Sequence, residues 1–129
     1  MLYCKINYRS PYHPIMLVNL ESIEEWANGD TATMKEIIKL FVENTPPTLN
    51  LLDKAISEKD WESITKYAHK LKSSYGIVII GNSLQLIQGI EQMGRDQKDE
   101  SRIREDFGKV RDQYSEAVTE FEAFNLQHP

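Results

Sequence analysis

At 129 residues the chain is sized for one domain with a core large enough to fold alone. Hydrophobic residues make up 40% and charged residues 27%, a globular balance, and the longest aliphatic runs (Ile15 to Val18, Ile77 to Ile80) fall far short of a membrane span, which needs roughly 20 residues. The net charge of −5 argues against nucleic acid, which is held mainly by Lys and Arg on phosphate.

Residues 1–18 carry Tyr3, Tyr8, Pro11, Tyr12 and Pro14 without a sustained period and read as an irregular arm, leaving 19–129 as the folded domain. Lys5 and Arg9 precede no long apolar stretch, so no signal peptide is expected. The single Cys4 fits a reducing compartment, and the chain is read as cytoplasmic and not membrane-bound. A short helix follows, with Asn19 as its N-cap, Leu20, Ile23 and Trp26 or Ala27 as its apolar side, and Gly29 as its stop. After Asp30, Ile38, Val42, Thr45, Leu49, Leu52 and Ile56 recur in steps of four and three. Pro46 and Pro47 interrupt this seam without shifting its phase. Because proline removes a helix donor and crowds the previous turn, the expectation is a kinked rod or two nearly collinear helices, with Thr45 capping the second.

A third helix is predicted from Asp60, with Trp61, Ile64, Ala68, Leu71, Tyr75 and Val78 on one stripe. Asn82 with Gln85 suggests a capping pair for a fourth, which buries Leu86, Ile87, Ile90 and Met93 and stops near Gly94. The fifth has the cleanest seam, Ile103, Phe107, Val110, Tyr114, Ala117, Phe121 and Phe124. Only Gly76 to Ile80 is ambiguous with a strand. The fold class is therefore all-α, an antiparallel four-helix bundle with an additional short N-terminal helix.

Between Trp61 and Tyr75 one acid, Glu62, faces three bases, Lys66, Lys70 and Lys72. That local surplus of +2 leaves −7 for the rest of the chain. Within this basic island lies His69, one residue past the core position Ala68 and so turned about 100° from the buried stripe. Thr65 and Ser73 lie one turn away on its face, Lys66 and Lys72 flank it, and Gly76 lies two turns on. Such a site suits phosphoryl transfer to nitrogen. A ring nitrogen must meet phosphorus in line, a partner must come close, and positive charge must steady the phosphoryl oxygens. Imidazole, with an unperturbed pKa of about 6.5, is largely neutral at cellular pH. The bland alternative is a solvated histidine on a solvated basic face.

The run Ala68-His69-Lys70-Leu71-Lys72-Ser73-Ser74 resembles the Ala-His-x-Leu-Lys-Gly-Ser signature of histidine-containing phosphotransfer (HPt) domains. The similarity extends upstream through Leu40-Phe41-Val42-Glu43, Thr45-Pro46, Leu51-Leu52 and Asp60-Trp61, and downstream to Ile90-Glu91-Gln92-Met93-Gly94-Arg95. The resemblance implies a phosphorelay intermediate in which His69, through the ring nitrogen farther from the backbone, accepts a phosphoryl group from a phospho-aspartate receiver and passes it to another. It implies that Lys72 stabilises the phosphoryl group, that Glu91 orients the imidazole, and that Arg95 edges a docking face with Thr65, Lys66, Lys70, Ser73 and Gly76. Implied partners are response-regulator receiver domains or a hybrid sensor histidine kinase, with magnesium carried by the receiver and no cofactor or metal on this chain, which acts as a monomer. Two departures stand out. Ser73 replaces the usual glycine, and Ile79 stands where the family has a glycine between helices three and four, with Gly81 two residues later.

No Gly-rich nucleotide loop or acidic metal motif is visible, so the chain is read as a carrier and not an enzyme. A helical interaction module that keeps the fold without the chemistry is the competing reading, against which the intact His69 and Lys72 argue. A metal or hydrolase site would need His13 and His128 to converge from opposite ends, and no supporting motif is present.

Overall fold

The structure, a computed structural model, describes residues 16–129. Cys4, His13 and all but the last three residues of the expected arm lie outside the described residues. Among the described residues five helices follow in order: α1 Leu20–Trp26, α2 Thr31–Ser57, α3 Trp61–Ile77, α4 Ser83–Asp96 and α5 Glu100–Gln127. Three of the starts are set by side chains that occupy otherwise unpaired amides of a first turn. Asn19 accepts from the Ser22 amide, Asp30 from Thr33 and Asp60 from Ser63. The α1 stop is Gly29 at φ +76°, whose amide returns to the Glu24 carbonyl at 2.9 Å.

Each long helix packs on its sequence neighbour, and α5 closes back onto α2, giving an antiparallel four-helix bundle with α1 against α2 and α3. Ile23, Met34, Ile38, Leu52, Ile64, Leu71, Ile87, Ile90, Ile103 and Phe121 form the fully buried interior. The α2 seam differs in one detail from its predicted form. Phe41 takes the core place expected of Val42, meeting Tyr75 edge-on at 5.2 Å between ring centroids, and Val42 is half-buried.

The helix through Pro46 and Pro47 is unbroken, so Thr45 is a buried interior residue and caps nothing. Pro46 leaves the carbonyl four residues back, that of Val42, without its helical donor. The hydroxyl of Tyr114 on α5 donates to that oxygen at 2.8 Å, supplying from another helix the bond the proline cannot make. Tyr114→Phe should therefore lower stability by about 1 kcal/mol, the usual net value of one such bond, with no change in helix content. Urea denaturation followed by circular dichroism checks this, and an unchanged midpoint would show that the tie contributes nothing.

Helix α3 ends at Ile77, and Val78, expected on its stripe, is buried just beyond the last turn. The Ile79 carbonyl then accepts from the Asn19 amide at 2.9 Å, and Ile80 forms an isolated antiparallel bridge with Val18. Gly81, at φ +48°, takes the left-handed turn that an Ile at 79 could not, and its amide donates to the Leu17 carbonyl. The Leu17 and Val18 amides in turn donate to the two carboxylate oxygens of Glu120 on α5, at 2.9 and 2.8 Å. Asn82 makes no side-chain cap to α4. Its Oδ1 instead accepts from Gln113 Nε2 at 2.7 Å, so the expected pairing with Gln85 is replaced by a tie to α5.

Candidate functional site

Ala68 and Leu71 point into the core, and the helical step between them carries His69 outward until its side chain is 71% exposed. Across the α3–α4 seam lies Glu91, one turn before Gly94, with a side chain only 5% exposed. A buried carboxylate needs partners, and three side chains supply them. His69 Nδ1 lies 2.8 Å from Glu91 Oε2, Lys72 Nζ 2.7 Å from Oε1, and an Arg95 guanidinium nitrogen 3.1 Å from Oε2. Burial pushes the Glu91 carboxyl upward, but the hydrogen bonds and charges of Lys72 and His69 outweigh it and hold the group below the ordinary glutamate value. Glu91 is thus ionised at neutral pH and acts only as an acceptor. The proton of a neutral His69 must then sit on Nδ1, which leaves the Nε2 lone pair facing solvent. Two cations on one carboxylate leave a surplus positive charge beside that nitrogen.

The other sequence-selected residues divide by location. Ser73 and Lys70 line an open apolar groove of about 450 Å³ between α1, α2 and α3, together with Trp26, Leu40, Phe41 and Ile77. Lys66 is exposed with its ammonium 5.3 Å from the Tyr67 ring centroid, and Gly76 is exposed with open space where a side chain would stand. Thr65 is half-buried in the α3–α4 seam, where its hydroxyl donates to the Trp61 carbonyl at 2.9 Å. Lys72, Glu91, Arg95 and His69 therefore form one cluster, Lys70 and Ser73 border the groove next to it, and Lys66 and Gly76 stand apart from both.

Trp26 was open to either orientation in the α1 pattern. The structure buries Ala27 and leaves the indole 60% exposed at the groove rim. Its signal was present in the sequence as two candidates for one core position, of which the smaller fits inside.

The family model of the Hpt domain matches residues 36–122, which run from the first turns of α2 almost to the end of α5 and contain the whole His69 cluster. The chain belongs to the Hpt domain family. Hpt domains are the histidine phosphotransfer units of phosphorelays, and that general role now attaches to this bundle. No curated protein and no solved structure matches the chain. No helix among the described residues is long and apolar enough to cross a membrane.

The Glu91 cluster of this Hpt domain carries a signed pH dependence. The Glu91 pKa in the folded state lies below the ordinary glutamate value of 4.5, so its contribution to stability is complete above that value. The contribution is lost as pH falls from there through the folded-state pKa. Denaturation at neutral pH and at pH values below 4.5 should show a larger acid-induced loss for the native chain than for Glu91→Gln, which has no carboxylate to protonate. Parallel losses in the two proteins would remove Glu91 from the acid response.

Proposed function

We propose that His69 is the phosphoacceptor of this Hpt domain, taking a phosphoryl group at Nε2 from the phospho-aspartate of a receiver domain and passing it to another receiver. The observation that carries this reading is the 2.8 Å contact between His69 Nδ1 and the buried Glu91 carboxylate on an otherwise exposed ring. It keeps Nδ1 protonated, aims the ring, and leaves Nε2 as the nucleophile. As the Nε2–phosphorus bond forms, the bond from phosphorus to the aspartate oxygen breaks and the aspartate leaves as a carboxylate. The ring gains positive charge in this step, and Glu91 is already placed to balance it. Return transfer runs the same steps backwards. Lys72 and Arg95 add positive charge beside the phosphoryl oxygens, and the receiver supplies magnesium.

The groove beside Ser73 and Lys70 supports receiver docking, because its apolar lining and exposed Trp26 and Leu40 are the kind of surface a protein partner covers. The partners would be response-regulator receivers or the receiver of a hybrid sensor histidine kinase.

The test is incubation with a phosphorylated receiver, followed by mapping of acid-labile label on the chain. A module that only docks would bind the receiver and take no label. The lysines refine the result. Lys72→Ala should slow transfer on the order of 100-fold, the low end of what losing one charge-stabilising donor costs. Lys70→Ala should slow it less, since only Lys72 is tied to the carboxylate that holds the ring. Equal rates in the two variants would reduce both lysines to a diffuse field, weakened alike by added salt.

A further inference from the structure

Gly94 is buried on the face of α4 that meets α3. A Cβ placed there would come within 2.8 Å of Thr65 Oγ1, 3.0 Å of Ile64 Cγ2 and 3.3 Å of the Thr65 backbone nitrogen. None of these atoms is the loose end of a long side chain. Thr65 is β-branched and its hydroxyl is committed to the Trp61 carbonyl, Ile64 is fully buried, and the third atom is main chain. The other α4 glycine, Gly89, has nothing within 4 Å of such a Cβ. Glycine is, after proline, the least favourable residue in a helix interior, so its presence at a site of close contact calls for a spatial reason.

The location supplies one. The two helices run antiparallel, so the pair Gly94 and Thr65 lies one helical turn from the pair Glu91 and His69, on the same seam. An alanine methyl at position 94 would have to push α4 from α3 at that level. The hydrogen bonds one turn away measure 2.7 and 2.8 Å, and such bonds weaken steeply once stretched beyond their normal range.

We propose that Gly94 is a positioning residue for phosphoryl transfer. By letting Thr65 lie directly against the α4 backbone, it sets the α3–α4 separation at which Glu91 reaches His69 and holds its proton on Nδ1. This rests on the reading of His69 Nε2 as the acceptor.

The test compares Gly94→Ala, Gly89→Ala and the double variant Thr65→Ala with Gly94→Ala, in the full chain. Two readouts are taken, the ¹⁵N shifts of the His69 imidazole, which report the tautomer, and the rate of label transfer from a phosphorylated receiver. Gly89→Ala should match the native chain in both, which removes helix propensity as an explanation. Gly94→Ala should lose the Nδ1–H signature and slow transfer on the order of 10- to 100-fold, the range that a displacement of about 1 Å costs a positioned reaction. The double variant, with the 2.8 Å contact gone, should regain the signature and most of the lost rate. If Gly94→Ala alone does not fold, the double variant should still fold and show the Nδ1–H form. A native tautomer in Gly94→Ala, or no recovery in the double variant, would overturn the proposal. A shifted tautomer with an unchanged transfer rate would instead count against His69 Nε2 as the acceptor.

Discussion

His69→Gln should abolish uptake of label from a phosphorylated receiver while leaving the bundle folded. The side chain is mostly in solvent, and the Glu91 carboxylate keeps Lys72 and Arg95 when the imidazole is gone. Losing one hydrogen bond to that carboxylate costs about 1.5–3 kcal/mol, which the bundle should survive. Glutamine can still fill part of the volume and offer an amide N–H, but it has no lone pair of comparable nucleophilicity to meet phosphorus. The loss should therefore be complete and not partial. Circular dichroism and urea denaturation establish the fold, and transfer from the receiver reads the chemistry. Label retained at the native level would place the acceptor on another residue.

Ser73→Trp should separate docking from chemistry. Ser73 is exposed one turn beyond His69 and borders the apolar groove with Lys70 and Trp26. An indole there would start from an exposed position and fill space a receiver must enter. Receiver-dependent transfer should fall on the order of 100-fold or more, equivalent to about 3 kcal/mol of lost complementarity. Small phosphoramidate, which needs no groove, should go on labelling His69 at close to the native rate. If the tryptophan variant exchanged with receivers as fast as the native chain, the groove would not be the docking face. If phosphoramidate labelling fell in step with transfer, the substitution would have disturbed His69 itself.

The parts of this molecule that were legible in its sequence are those decided locally. Asn19, Asp30 and Asp60 cap the helices they precede because a short polar side chain reaches only its own first turn. The stripe through Ile64, Ala68, Leu71 and Tyr75 was readable for the same reason, and it turned His69 outward. The meeting of His69 with Glu91 is different in kind. It joins residues 22 apart on two helices and came into view only through the spacing shared with a family. What could not be read is what distant side chains decide. Nothing near Pro46 announces that Tyr114, on the last helix, completes its turn. Nothing near Asn82 shows that Gln113 will claim its side chain, and nothing in α1 tells that the smaller Ala27 goes inside while Trp26 faces out. The closeness of Gly94 to Thr65 likewise exists only once α3 and α4 are side by side.

The ties made by Tyr114, Gln113 and Glu120 have a consequence for the order in which the chain acquires its structure. All three are on the final helix, and each completes something made much earlier, namely the prolyl turn of α2, the entry to α4, and the amides of Leu17 and Val18. Until α5 is in place, α2 would thus carry an unanswered carbonyl at Val42, and the Leu17 and Val18 amides would lack the Glu120 carboxylate. Individual helices form quickly, but these bonds wait for α5 to dock. The bundle is therefore locked from α5 backwards, and not helix by helix in chain order.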